Sequence, residues 1–146
     1  MKVVFFGTCG AVPSIDSGNT SFAVMLESAS LLVDASGNPV QSLLRAGLEP
    51  SSLDGVVLTH AHTDHLYGLP SLLHALWLLG RQKPLGLYCN AETAGRGKAL
   101  CDVLGLLEKP RLFPVRWITG EEIQAPLPGA ASLRLFPVRH STPTCG

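Results

Sequence analysis

Short runs of β-branched and aromatic residues alternate with turn-forming residues over the first sixty positions of the chain. They predict four strands, at positions 2–6, 21–27, 30–34 and 54–59. Only Ser28 and Ala29 separate the second run from the third, a spacing that predicts a hairpin. The dense cluster of glycine, proline and serine that begins at Gly7 predicts a loop.

Later segments combine helical spacing with further strand-like runs. Asn38 and Pro39 are typical of an N-cap and a first helical position, and they predict a short helix that stops at Gly47. Two more helices are predicted at 70–80 and 91–107, and three more strands at 84–89, 112–119 and 132–140, the last two around a turn at 119–122. This order predicts a mixed α/β (α+β) fold in which helices pack on one face of a sheet.

Composition limits the class of protein. A chain of 146 residues is long enough for one domain with its own core, so residues 1–146 are predicted to form a single domain. Eleven basic and eleven acidic residues give a net charge of zero, which excludes a general attraction to nucleic acid or anionic membranes. Hydrophobic residues make up 46% of the chain and charged residues 15%, an apolar excess that predicts a surface still to be covered.

Cations, cysteines and apolar runs refine this picture. Seven of the eleven cations fall between Arg81 and Arg116, where a solvated face is the preferred interpretation and a phosphate-facing patch the alternative. The four cysteines include no CxxC pair, so free thiols and a cytoplasmic location are predicted. No signal peptide is recognisable at the N-terminus, and the longest apolar stretch, LLHALWLL, is too short to span a membrane.

The segment THAHTDH, from Thr59 to His65, holds three of the five histidines and an aspartate directly after a predicted strand. In an extended backbone, the side chains of His60 and His62 point to the same side, so both rings can bind one ion. Asp64 and His65 follow where the chain bends toward a helix, and their side chains can turn to a second position nearby. Four ligand-type side chains in six positions predict a metal site.

The donor set also limits the metal. Imidazole nitrogen and carboxylate oxygen suit zinc, and also manganese or iron, and the absence of nearby cysteine argues against a structural zinc site. A metal with three protein ligands and an open position lowers the pKa of a bound water to about 7. The pattern therefore predicts one or two zinc ions as cofactor, with hydroxide available at neutral pH.

The segment HAHTDH, at positions 60–65, matches the HxHxDH signature of the metallo-β-lactamase superfamily. Within this superfamily the chain most resembles the ribonuclease Z and phosphodiesterase branch. FFGTCGAVPS is similar to the opening glycine loop of the branch, and LLVDASG to the segment with the aspartate before the motif. LYGLPSLLHAL is similar to the helix after the motif, and RHSTPTCG to the next histidine motif. The resemblance covers nearly the whole chain and implies a four-layer αββα sandwich.

Metal-binding roles follow from this resemblance. His60, His62 and His140 would hold the first metal, and Asp64 with His65 would begin the second site. Asp64 is also implied as a general base or proton shuttle, a role that its place beside the metals permits.

Three other candidate residues lie within the same motifs. Asp34 ends a predicted strand, and the resemblance implies that it supports the ligands, where its hydrogen bond could orient a histidine ring. His74 falls within an apolar helical pattern and is discounted as a ligand. Cys145 is close to His140 in the sequence, but the family motif requires no thiol there, so it is discounted too.

The family site also needs a later aspartate that bridges both metals and a final histidine, and neither follows His140. The chain is therefore predicted to contain the first half of the sandwich and a little more, and to be incomplete at its C-terminus. A longer protein, a naturally shortened relative or a second copy would each account for this. The apolar sheet face left in water predicts a homodimer.

The resulting hypothesis is a metal-dependent hydrolase, a phosphodiesterase or endoribonuclease of ribonuclease Z type that processes tRNA 3′ ends with metal-bound hydroxide. One alternative keeps the fold and changes the substrate to a small cyclic or nucleotide phosphodiester or to a thioester. Another alternative is a non-catalytic metal-binding or assembly module. Metal binding without turnover would distinguish that module from an enzyme.

Overall fold

A mixed seven-stranded sheet forms the centre of the molecule, for which a computed structural model describes all 146 residues. The strands of this sheet are β1 (Lys2–Cys9), β2 (Gly18–Asn19), β3 (Ser21–Met25), β4 (Ser30–Val33), β5 (Gly55–Val57), β6 (Leu85–Cys89) and β7 (Val115–Thr119). Their order is β2-β1-β3-β4-β5-β6-β7. Strands β1, β3 and β4 pair antiparallel, as the predicted hairpin requires, whereas β4 to β7 pair parallel.

Helices cover one face of this sheet. They are α1 (Pro39–Arg45), α2 (Thr63–Leu66), α3 (Leu69–Leu78) and α4 (Ala91–Val103). Asn38 caps α1 as predicted, since its side chain accepts a hydrogen bond from the backbone N of Gln41. The main core of 19 buried residues lies between helices and sheet and includes leucines of α3. It also includes one residue from each of four neighbouring strands, paired in register across the sheet: Ala23, Leu32, Val56 and Leu87. The predicted mixed α/β class is confirmed.

Two small hairpins lie on the opposite face. The first pairs β8 (Ile123–Pro126) with β9 (Ser132–Leu135), and the second pairs β10 (Pro137–Val138) with β11 (Thr144–Cys145). Their buried side chains form a second apolar cluster with the strands beneath them: Val57, Tyr88, Ile123, Ala125, Leu135 and Cys145. The chain that follows β7 therefore begins a second layer.

The two strands predicted on either side of the turn at 119–122 do not pair with each other. Strand β7 pairs with β6 in the central sheet, and the partner of β9 is β8, a strand that the sequence interpretation missed. Alternate residues of β8 are buried and exposed, so a short alternating pattern was present in the sequence. Strand β1 also continues past Phe6 to Cys9, into the segment predicted as loop.

Helix α4 ends at Val103 rather than at Leu107. Gly105 has a φ of 59°, a left-handed conformation that an α-helix cannot continue, and its backbone N donates to the carbonyl of Asp102. The later apolar residue Leu106 folds back into the main core. Gly105 therefore stops the helix. None of the four helices is long and apolar enough to cross a membrane.

The cationic segment is not one solvated face. Arg81 is only 4% exposed, and its guanidinium donates to four backbone carbonyls, those of Ser51, Leu53, Lys83 and Pro84. The interpretation as a solvated face is therefore wrong for Arg81. Its hydrogen bonds connect the turn after α3 to the loop before β5.

Candidate metal centre

The candidate side chains meet at one edge of the central sheet. Asp34 directly follows β4, and the THAHTDH segment follows β5 by one residue. Because β4 and β5 are parallel, their carboxyl ends lie side by side at this edge. The β10–β11 hairpin brings His140 to the same place from the second layer.

Three histidine rings converge there. Nε2 of His60 lies 3.0 Å from Nδ1 of His62, and Nε2 of His140 lies 3.3 Å from the same Nδ1. One nitrogen from each ring lies within 4.8 Å of the other two, an arrangement that could hold a metal ion. His60 is 5% exposed, whereas His62 and His140 are exposed to solvent.

A hydrogen-bond chain fixes the tautomer of His60. Oδ1 of Asp34 accepts from the backbone N of Thr59 at 2.8 Å, and both carboxylate oxygens lie 3.0 Å from the Thr59 hydroxyl. That hydroxyl donates to Asp34, so it accepts from Nδ1–H of His60 at 2.9 Å. Nε2 of His60 then presents a lone pair to the other two rings, as a metal ligand requires.

His65 is held by the same carboxylate. Its Nδ1 lies 2.7 Å from Oδ2 of Asp34, and this hydrogen bond raises the pKa of His65, while burial opposes the shift. Nε2 of His65 faces Oδ2 of Asp64 at 3.3 Å. A nitrogen of His65 and an oxygen of Asp64 therefore lie close together, and the ring centroid of His65 is 4.1 Å from that of His60.

Electrostatics keep His60 neutral. Burial, and after it the neighbouring His65, lower the pKa of His60 to about 4, against the opposing effect of Asp34. A neutral imidazole is the form that binds a metal. At neutral pH the His60 ring therefore has a nitrogen lone pair available for a cation.

An open cleft of about 590 Å³ adjoins these groups. It is lined by His62, Thr63 and Asp64 and by Ala11 and Pro13 of the loop after β1. Asn19 and Tyr67 also line it, and the Tyr67 hydroxyl donates to Oδ1 of Asn19 at 3.3 Å. A bound molecule could therefore reach Asp64 and His62 from solvent.

The two discounted residues lie outside the histidine cluster. His74 is on α3, where its ring centroid is 5.6 Å from that of Trp77. Cys145 is 4% exposed, its thiol contacts the carbonyl of Thr59 at 3.3 Å, and burial raises its pKa. All four cysteines are free. Sequence reasoning gave no role to Thr59, and its position between a strand and a histidine motif was the available signal.

Fold and site together define a class of protein. The family described as "Beta-lactamase superfamily domain" matches residues 30–146, and the chain belongs to this superfamily. Among solved structures, human tRNase Z, short form, superposes with a TM-score of 0.81 at 22% identity, covering 99% of this chain and 63% of that one. A diphosphatase of the PhnP family gives a TM-score of 0.74 at 20% identity, covering 99% of this chain and 60% of that one.

Curated relatives point to one branch of the superfamily. Ribonuclease Z of Methanococcus maripaludis is 32% identical over 106 residues, which are 73% of this chain and 33% of the relative. Ribonuclease Z of Pyrococcus abyssi is 29% identical over an alignment that covers 100% of this chain and 47% of the relative. The predicted resemblance to the ribonuclease Z branch is confirmed. The chain spans a third to a half of the length of these relatives.

Proposed function

We propose that the protein is a metal-dependent phosphodiesterase of ribonuclease Z type that processes the 3′ ends of tRNA. The observation that carries this proposal is the convergence of the His60, His62 and His140 rings beside Asp64, at an open cleft. The ribonuclease Z relatives support the choice of a phosphodiester in RNA as the substrate. The neutral net charge of the chain means that RNA binding would rest on local contacts.

Zinc is the metal that we propose for this site. The hydrogen bond from His60 to Thr59 directs its free nitrogen toward His62 and His140, so the donor set fits a cation without further rearrangement of His60. Three imidazoles with an open position are typical of catalytic zinc, although manganese and iron accept the same donors. When bound, zinc supplies a Lewis acid that activates water and neutralises charge developing on the phosphoryl oxygens.

The residues of this chain would divide the remaining work. Asp64, whose carboxylate lines the cleft, would accept the proton of the attacking water and hold it for the leaving oxygen. His65 would take part in a second metal position together with Asp64. Asp34 would fix the His65 ring and, through Thr59, the His60 ring.

We propose a cytoplasmic homodimer as the working form. The sheet face opposite the helices is apolar along β1 and β3, where Phe5 is 61% exposed, Val3 is 41% exposed, and the Phe5 and Phe22 rings lie 5.3 Å apart. Burial of such a face is favourable in water. A monomer in light scattering, with no binding of a dye for exposed apolar surface, would contradict the dimer.

Metal content and substrate choice test the proposal. We expect zinc in protein purified without chelator, and cleavage of a tRNA precursor with a 3′ trailer and of a chromogenic phosphodiester. His62→Ala should abolish both cleavages, whereas His74→Ala, on α3 outside the cluster, should retain them.

Other results would favour the alternatives. Hydrolysis of a thioester or a small cyclic phosphodiester, with the tRNA precursor intact, would indicate a different hydrolase of the same fold. Bound metal with no turnover of any of these substrates would indicate a binding or assembly module. Full phosphodiesterase activity in His62→Ala would overturn the proposed site.

A further inference from the structure

His140 reaches the candidate centre on a weakly supported loop. The loop consists of residues 139–143, between strands β10 and β11, which have two residues each and pair through only two residue pairs. His140 is exposed, so packing does little to fix its position. It also lies 78 residues from its neighbour His62 in the sequence. Contacts from outside the hairpin are therefore needed to fix the position of this loop.

Asn90 makes a direct contact to that loop. It directly follows β6 at the same edge of the sheet as the THAHTDH segment, and the residue is 9% exposed. Its Oδ1 accepts from the backbone N of Thr93 at 2.8 Å and so caps α4. Its Nδ2 donates to the carbonyl of Pro143 at 2.7 Å. The two ends of one amide thus join a helix of the first layer to the loop of His140.

The other hydrogen bonds between the first layer and the β10–β11 hairpin are longer or lie further from His140. The backbone N of Cys145 donates to the carbonyl of Thr59 at 2.9 Å, beyond the loop itself. The Thr142 hydroxyl is 3.5 Å from each carboxylate oxygen of Glu92, a distance typical of a weak hydrogen bond. Within the loop, the contact from Asn90 is therefore the strongest attachment to the first layer.

We propose that Asn90 is a positioning residue that holds His140 within reach of His60 and His62; this role rests on the proposed metal site. The Asn90 amide is fixed at one end by the first turn of α4, a helix of 13 residues, so its donor has a defined direction. By holding the carbonyl of Pro143, it limits the positions open to His140. A ligand held in place beforehand loses less conformational freedom when metal binds.

An exchange of one atom separates this role from helix capping. In Asn90→Asp, the carboxylate still accepts from Thr93, and aspartate caps helices as well as asparagine does. The amide donor is replaced by an oxygen that repels the carbonyl of Pro143. Asn38→Asp is the matched control, because Asn38 caps α1 through the same kind of contact and does not touch the loop. Asn90→Ser, which caps without a charge, controls for the added carboxylate.

Cobalt(II) provides the readout, since its visible absorption spectrum reports the ligands of the site. For Asn90→Asp and Asn90→Ser we expect roughly 10-fold weaker cobalt and zinc binding in chelator competition, with an altered cobalt spectrum. Their thermal midpoints should stay close to that of Asn38→Asp, and Asn38→Asp should bind both metals as the wild type does. Asn90→Ala, which lacks both contacts, should lose stability as well as metal affinity.

Two outcomes would overturn the inference, and they can be told apart. Wild-type cobalt affinity and spectrum in Asn90→Asp and Asn90→Ser would reduce Asn90 to a helix cap and leave the metal site intact. A wild-type protein that takes up neither cobalt nor zinc would overturn the proposed function, and the role of Asn90 with it.

Discussion

Oδ2 of Asp34 lies 2.7 Å from Nδ1 of His65, while Oδ1 of the same carboxylate accepts from the backbone N of Thr59. One buried side chain thus connects both ends of the THAHTDH segment. Asp34 has a φ of 59°, a left-handed conformation that is uncommon outside glycine. The backbone N of Asp34 donates to Val57 and its carbonyl accepts from the Ser21 hydroxyl, so the surrounding strands stabilise this conformation.

Loss of the Asp34 carboxylate should weaken metal binding more than folding. In Asp34→Asn the amide oxygen can still accept from Thr59, but the amide nitrogen cannot accept from His65. The ring of His65 is then no longer oriented. We therefore expect zinc affinity, measured by chelator competition, to fall by about 10- to 100-fold, the loss typical for residues that hydrogen-bond to metal ligands. The control is Asp54→Asn, which removes a carboxylate that accepts from Ser30 before β5 begins. Equal zinc affinity in the two variants would contradict the prediction.

Protonation of His60 should destabilise the metal-free protein in acid. Burial lowers the pKa of His60 to about 4 from an ordinary value of 6.5, so the unfolded chain binds more protons at this residue between those values. The free energy of unfolding should therefore decrease as the pH falls from 6.5 to about 4. His60→Gln should remove this part of the pH dependence, as measured by denaturant unfolding.

His65 changes the free energy of unfolding with pH in the opposite direction to His60. Its hydrogen bond to Asp34 raises its pKa, so its stabilising contribution is complete below 6.5 and is lost as the pH rises through the raised value. Titration of the ring resonances by NMR in metal-free protein separates the two histidines. A His60 ring that titrates near 6.5 would contradict the lowered pKa of this residue.

Substitution of two glycines by alanine should change the free energy of unfolding in opposite directions. A Cβ at Gly68, between α2 and α3, would lie 2.5 Å from the carbonyl oxygen of Ala35 and 2.7 Å from that of Gly37. Because both neighbours are backbone, Gly68→Ala should lower the free energy of unfolding by about 1–3 kcal/mol. Gly95 is exposed within α4 and has nothing within 4 Å of such a Cβ, so Gly95→Ala should raise it by up to about 1 kcal/mol. Urea unfolding measures both, and a stabilised Gly68→Ala would contradict the close approach.

Removal of the Arg81 guanidinium should destabilise the fold without a direct effect on the metal site. Arg81→Met would leave the carbonyls of the loop before β5 without their donor, at a cost of about 2–4 kcal/mol. The exposed Arg116 on β7 is the matched control, and Arg116→Met should change stability by less than about 0.5 kcal/mol. Similar unfolding midpoints for the two variants would show that the buried hydrogen bonds of Arg81 contribute little.

Local patterns in the sequence predicted most of the first layer. Strands β1 and β3 to β7 and the helices α1, α3 and α4 follow from hydrophobic spacing, caps and glycine stops, which act within a few residues, whereas β2 lies in the segment predicted as loop. The same local reasoning placed His60, His62, Asp64 and His65 together, because they are neighbours in the chain. It could not choose the partner of β9, since pairing depends on which strand is near in space.

The sequence by itself determined the fold class, the donor-rich segment after β5 and the resemblance to the metallo-β-lactamase superfamily. Only the tertiary structure decided that His140 stands 3.3 Å from His62 across 78 residues, and that Asn90 holds the loop that carries it. It also decided that Arg81 is buried among carbonyls rather than solvated. The physical reason is common to all three: periodicity and capping are local, whereas the contacts of a side chain depend on which distant segments the packed core brings beside it.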